Sequence, residues 1–184
     1  MEKQQEFLKE LDSIDPEMIV YSDETGIDDN EVKMFGWSKI NERCRDSKKG
    51  NRKTRINIKA ALHKGKLFAP FLFIGYSTKV TFETYIEKIL IPSLVAGIVL
   101  IIDNASFHKS KKITDLILAA GCRILYLPPY SPEFNPIEHF WAAVKICVKK
   151  AAIKIKNNFY GSCSRFRRNV YSLVQIAIYF QLKY

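Results

Sequence analysis

The first apolar run of the chain, MIVYS at residues 18–22, stops at an acid, Asp23. A second run, TRINIKAAL at 54–62, alternates partly at period two, and His63-Lys64-Gly65 suits a turn. KLFAPFLFI at 66–74 then returns as the other arm of a hairpin, so the three runs predict strands paired as a meander. Residues 27–50 lie between the first two strands, carry Trp37, and read as an insertion or loop with a short extended piece of its own. Phe82, Tyr85, Ile86 and Ile89 recur at helical spacing, and Pro92 supplies a stop, which predicts a helix over 82–90.

The second half alternates more sharply. IVLII at 98–102 is unbroken and apolar, as a central strand buried on both faces should be, and it too ends on an acid, Asp103. Residues 109–120 read as a helix closed by Gly121, and RILYL at 123–127 as the next strand, which completes a βαβ crossover. Pro128, Pro129 and Pro132 exclude regular structure from the loop that follows. Asn135-Pro136 then offers an N-cap and a first-turn proline to a long helix. Ile137, Trp141, Val144 and Val148 form that helix's packing face, beside a stripe of Glu138, Ala142, Lys145 and Lys149 that begins acidic and continues basic. The expected class is α/β.

Composition removes several alternatives. With 184 residues, 47% of them hydrophobic and 26% charged, the chain can bury a core in one domain and is not of a disordered class. No apolar run approaches the ~20 residues that cross a bilayer. The polar, acidic start MEKQQEFLKELDSIDPE has no signal-peptide core, so the expected location is intracellular: cytoplasmic, and nucleoid-associated in a bacterium. Cys44, Cys122, Cys147 and Cys163 show neither CxxC pairing nor finger spacing, and neither disulfides nor a structural zinc site is expected.

Charge adds a partner class. Residues 1–31 hold eleven acids and two bases, so the overall +10 becomes +19 over residues 32–184. Arg43, Arg45, Lys48, Lys49, Arg52, Lys53 and Arg55 crowd one stretch against Asp46 alone. After Glu138, nine bases, among them Lys145, Lys149 and Lys150, meet no acid. Taken alone such runs are most often a solvated face; combined with an acidic pocket they fit a polyanion such as double-stranded DNA.

The candidate chemistry rests on Asp23, Asp103 and Glu138. Three carboxylates that converge repel one another and force one to take up a proton unless a divalent cation neutralises them. All-oxygen ligands of this kind suit Mg²⁺, and two such ions clamping the attacking and leaving oxygens is a common solution for phosphodiesters. Structural roles compete at each position. Asp23 can be a turn former before Gly26, with Glu24 or Asp28 as the alternative ligand. Asp103 and Asn104 can cap the helix that starts at Lys109 or shape the loop before it, and Glu138 falls three residues after Asn135, the capping-box position. Trp37 and Trp141 read as packing residues, whereas Tyr130 and Phe134, in the proline loop, are candidates to touch DNA.

YSDETG at Asp23, GWS at Trp37, DNASFHKS at Asp103 and LPPYSPEFNPIEHFW at Glu138 resemble the catalytic domain of DDE transposases of the mariner-like superfamily, in its bacterial insertion-sequence branch. The resemblance runs from about Ile19 to about Lys150, and the 34 residues between Asp103 and Glu138 agree with that branch. It implies a ribonuclease H-like five-stranded mixed sheet flanked by helices, with the first strand beside the fourth. It also implies a catalytic, metal-binding triad of Asp23, Asp103 and Glu138 using two Mg²⁺ (or Mn²⁺) ions. Asn104 and His108 would support the site; His108 matches a DNxxxH pattern. The implied reactions are cleavage at transposon ends and strand transfer into target DNA, generally at TA sites, by a homodimer. The implied organisation is an acidic lead-in at 1–17, the catalytic domain at 18–156 and a divergent basic tail at 157–184. Because 22 residues precede Asp23, end recognition is expected from an upstream-encoded helix-turn-helix partner. Another ribonuclease H-like nuclease, or an inactive remnant that only binds DNA, is the alternative.

Overall fold

The structure, a computed structural model, describes residues 2–28, 39–43, 55–105 and 108–146. Trp37, Arg45, Lys48, Lys49, Arg52, Lys53, Val148, Lys149, Lys150 and the tail at 157–184 lie outside the described residues, as does most of the 27–50 segment.

Strands β1 (Ile19–Asp28), β2 (Arg55–His63) and β3 (Lys66–Ile74) form the expected meander. β4 (Val99–Ile102) and β5 (Arg123–Tyr126) join in parallel on the far side of β1, giving the five-stranded order β3-β2-β1-β4-β5. This is the mixed ribonuclease H-like sheet that the sequence motifs imply, with the first strand beside the fourth.

One boundary departs from expectation and matters for the site. β1 was expected to end at Ser22, but it pairs with β2 through Asp23↔Ala60 as far as Asp28↔Arg55. β4 leaves β1 after Tyr21↔Ile101. Beyond that point β1 has a ladder partner on one side only, so its residues need not be apolar on both faces. The polar DETG stretch therefore hides a strand, and β1 with β2 projects past β4 as a two-stranded arm.

Alternation sorts β2 cleanly. Ile56, Ile58, Ala60 and Leu62 pack with Ile137, Trp141 and Val144 on one face of the sheet. Ala61 points to the other, with Val20, Phe82, Tyr85 and Leu100. Lys59 shares that second face and is 2% exposed. Its ammonium is ion-paired with Glu24, donates to Ser77 Oγ at 2.9 Å, and lies 5.0 Å from the Phe82 ring centre. On β3 the register shifts opposite Lys59 and Ala61, Ala69 takes φ 50°, and Pro70 follows. This bulge admits a proline without N–H into an edge strand and blunts that edge.

The helices cover both faces. α1 (Glu2–Asp12) lays Phe7 and Leu11 against Val99, Ile101, Leu125 and Leu127, and Phe7 stacks on Phe134 with ring centres 5.7 Å apart. α2 (Lys79–Tyr85) starts three residues earlier than the apolar spacing predicts, because Thr78 accepts from the Thr81 N–H as its N-cap, and it runs on into a π-helical turn at Ile86–Leu90. α3 (Lys111–Ala119) starts two residues later than expected because Ser110 takes the cap, accepting from Ile113 N–H. It ends in a left-handed Gly121 (φ 72°), with Gly121 N–H donating to Leu118 C=O and Cys122 N–H to Ile117 C=O, a Schellman closure. Residues 137–146 form α4, which seats Ile137, Trp141 and Val144 on β1 and β2.

Candidate active site

Parallel register brings two acids to one level. Tyr21 is the last β1 residue paired with β4, opposite Ile101, so Asp23 and Asp103 both stand two positions past the end of that ladder. The proline loop then crosses the strand ends, and the first turn of α4 delivers Glu138. Asp23, Asp103, Asn104 and Glu138 line a single open cavity of about 480 Å³ walled by the 127–132 loop.

Asp23 is held from three directions. Its Oδ1 accepts from the Glu24 N–H at 2.7 Å, and its Oδ2 accepts from Asn135 Nδ2 and Trp141 Nε1, each at 3.2 Å. Burial pushes its carboxyl up to about 7, with the charges of Glu138 and Asp103 adding to the rise and the Glu24 and Trp141 donors opposing it. Asp103 behaves oppositely. Burial acts to raise it, but the hydrogen bond and charge of His108, the Ala105 N–H and the charge of Lys59 together hold it below its ordinary value. Its Oδ1 pairs with His108 Nδ1 and accepts from Ala105 N–H at 3.2 Å. His108 is buried, its ring 3.8 Å from that of Phe82, and its carbonyl accepts from the Tyr126 hydroxyl.

The competing roles separate here. Glu24 turns to the opposite face of the sheet to meet Lys59, and Asp28 stands at the far end of the arm opposite Arg55, which leaves Asp23 as the acid of that motif at the cavity. The expected cap at Asn135 is replaced. Its amide donates to Asp23, while its Oδ1 is buried with no hydrogen-bond partner among the described residues. Glu138 lines the cavity and is exposed, rather than closing a capping box with that side chain. Tyr130, at the cavity rim, is fully exposed with φ 55°, an unfavourable backbone for a bulky residue. Arg43 and Arg55 are exposed and Lys145 is half-buried.

Sequence reasoning missed Asn135 and Trp141 as partners of Asp23. Both stood inside the proline-rich motif, but a cap and a packing face explained them fully. Trp141→Phe should keep the packing and remove one donor, raising the Asp23 pKa further. A pH–activity profile shifted to the alkaline side is expected, and an unshifted profile would show the hydrogen bond to be idle.

Among the described residues, no three His, Cys, Asp or Glu side chains are close enough to form a ready-made metal cluster. The donor set nonetheless fits a hard divalent cation. Three carboxylates and Asn104, whose Oδ1 is buried without a partner among the described residues, surround one cavity, and one of the carboxylates holds its proton near neutrality.

A ribonuclease H-like sheet with one acid in β1 just past the point where β4 leaves it, a second just past the end of β4 and a third on the helix after β5 defines a class of nucleic-acid-processing enzymes. Residues 18–159 match the model of the DDE superfamily endonucleases, and the chain belongs to that family. DDE endonucleases depend on divalent metal. No curated protein matches the chain. Among solved structures it is similar to the Mos1 strand transfer complex (TM-score 0.66, 14% identity, covering 98% of this chain and 61% of the other). It is also similar to the mariner Mos1 paired end complex with Mg (TM-score 0.62, 12% identity, 96% and 59%). A simian T-cell lymphotropic virus intasome shares the fold more distantly (TM-score 0.52, 12% identity, 89% and 48%). The chain thus spans about three fifths of the Mos1 chains.

Proposed function

We propose that this chain is the catalytic part of a DNA transposase that cuts transposon ends and joins them to target DNA. The observation that carries the reading is the meeting of Asp23, Asp103 and Glu138 around one cavity at the open end of the sheet, in a chain of the DDE endonuclease family. Asp23, Asp103 and Glu138 would hold the metal, with Asn104 beside them. Two Mg²⁺ or Mn²⁺ ions, when bound, would supply Lewis-acid stabilisation of the attacking and leaving oxygens. The protein's own part is positional and electrostatic. Asp23 gives up its proton on loading, and His108 fixes the orientation of Asp103. Lys145 and Arg43, with Arg45, Lys48, Lys49, Arg52, Lys53, Lys149 and Lys150, neutralise phosphates along the strand. Tyr130 offers an exposed ring at the cavity rim.

Joining two ends requires two active sites, so a homodimer acting at TA target sites is part of this reading, with a helix-turn-helix partner recognising the ends. Among the described residues no helix is long and apolar enough to cross a membrane, and we place the protein with DNA in the bacterial cytoplasm. The deciding experiment follows labelled DNA ends through cleavage and strand transfer with Mg²⁺ or Mn²⁺, with and without an upstream-encoded partner. Metal-dependent products are expected, and none under either condition would favour a remnant that only binds DNA. Glu138→Gln keeps size and exposure, so a folded protein with activity reduced ~10²-fold or more is expected; full activity would remove Glu138 from the triad.

A further inference from the structure

α1 stands before residue 18, where the family match begins, and the motif resemblance counts residues 1–17 as a lead-in outside the catalytic domain. Its contacts tie it instead to the wall of the carboxylate cavity. Glu10 pairs with Arg123 at the start of β5, and Gln4 reaches Ser131, beyond that strand's end, so α1 runs antiparallel to β5. It packs with Tyr21, Val99, Ile101 and Leu125, on the sheet face that Asp23 shares with Tyr21 two residues before it. Gln4 Nε2 donates to Ser131 Oγ at 2.9 Å, and that hydroxyl gives its one proton to the Pro129 carbonyl at 3.3 Å. The bond from Ser131 to Pro129 straddles Tyr130, whose positive φ persists only where its surroundings enforce it. Three residues on, Phe134 is partly buried in its stack on Phe7. Asn135 follows and donates to Asp23, and its carbonyl accepts from the Glu138 N–H at 3.2 Å.

We propose that Gln4 and Phe7 are positioning residues of the active site, and that α1 is a brace holding the proline loop so that Asn135 meets Asp23 and Glu138 meets the cavity. The inference rests on the reading of this cavity as a metal-dependent site that acts on DNA, and it extends the working catalytic unit from residue 18 back to α1. Ser131, Asn135 and Glu138 line the cavity, whereas Gln4 and Phe7 are not among its lining residues. They act through Ser131 and Phe134, one by a hydrogen bond and the other by a ring stack. Four prolines restrict φ in this stretch but leave the torsions between them open. The brace supplies what the rings cannot, a fixed point on the sheet to which the loop is tied.

The test compares the full chain with Gln4→Met, Phe7→Leu, Ser131→Ala and the Gln4→Met/Ser131→Ala double variant. Gln4→Met keeps length and neutrality but cannot donate, and Phe7→Leu stays apolar but cannot stack. Cleavage rate at saturating DNA, DNA affinity and calorimetric Mg²⁺ affinity are measured well below each variant's melting temperature. Gln4→Met and Phe7→Leu should each slow cleavage about fivefold and weaken Mg²⁺ binding about threefold, with DNA affinity unchanged, because a misplaced ligand costs rate. Adding Gln4→Met to Ser131→Ala should cost nothing further, since the first acts through the second. An α1 that only stabilises the fold would lower the melting temperature and leave the rate and Mg²⁺ affinity of the folded protein at wild-type values. That result overturns the brace, as do losses that add in the double variant. Should Phe7→Leu fail to fold, Gln4→Met and its pairing with Ser131→Ala decide alone. A wild-type chain that binds Mg²⁺ but cleaves no DNA sinks the functional reading, and the Mg²⁺ affinities of the variants then decide the brace. A wild-type chain that binds no Mg²⁺ overturns both.

Discussion

Asp103→Asn is expected to lower DNA cleavage by ~10³-fold or more, equivalent to ~4 kcal/mol of transition-state stabilisation, in a protein that still folds. Asp103 stands just past the fully buried β4 run and outside its ladder, so no sheet hydrogen bond depends on its charge. An asparagine oxygen can still accept from Ala105 N–H, which preserves the local turn. What is lost is a full negative charge that the protein takes care to keep, since His108 and Lys59 together hold this carboxyl ionised against its burial. A neutral amide at that position is a far poorer ligand for a hard cation. The stabilisation that Mg²⁺ gives to thermal unfolding should vanish along with activity. A variant that keeps a tenth of wild-type cleavage would exclude Asp103 from the triad.

Metal loading should release a proton, and the amount should depend on pH. Asp23 titrates at about 7 in the folded protein against an ordinary 3.8, and its neighbours are the carboxylates of Asp103 and Glu138 and the donors of Glu24, Asn135 and Trp141. Between those two values the folded metal-free chain binds one proton more than the unfolded chain. This group's contribution to stability therefore falls as pH rises through that window. A divalent cation reverses the preference by stabilising the carboxylate. Calorimetric Mg²⁺ titrations in buffers of different ionisation enthalpy should show nearly one proton released at about pH 6 and almost none at about pH 8.5. Asp23→Ala should abolish the release. Equal heats in all buffers at the lower pH would mean that Asp23 enters the reaction already ionised.

Much of this was legible in the chain because each strand that meets an acid is apolar up to it. IVLII ending at Asp103 could be little other than a buried strand, and the proline-rich run could hardly continue one. β3 was bounded correctly by a turn carrying its own glycine. Two features resisted for definite reasons. The outer half of β1 has the composition of a loop because a single ladder partner demands little of its side chains. Lys59 alternated like a solvent-facing residue, and its enclosure comes from groups distant in sequence, among them the ring of Phe82 and the carboxylate of Glu24, 23 and 35 residues away. Asn135 and Trp141 were hidden by adequacy, since each already had a local purpose that a pattern could supply.

The loop that carries the chain from β5 to Glu138 has proline at 128, 129, 132 and 136. Each ring fixes one backbone torsion before the chain has folded, so the unfolded ensemble is already narrowed where the third acid must be delivered. Little disorder is left for a substrate to extinguish when it arrives, and binding energy is free to act on the phosphodiester instead. Glycine in place of any of these rings would carry its penalty into every turnover, even in a protein whose resting geometry looked unchanged.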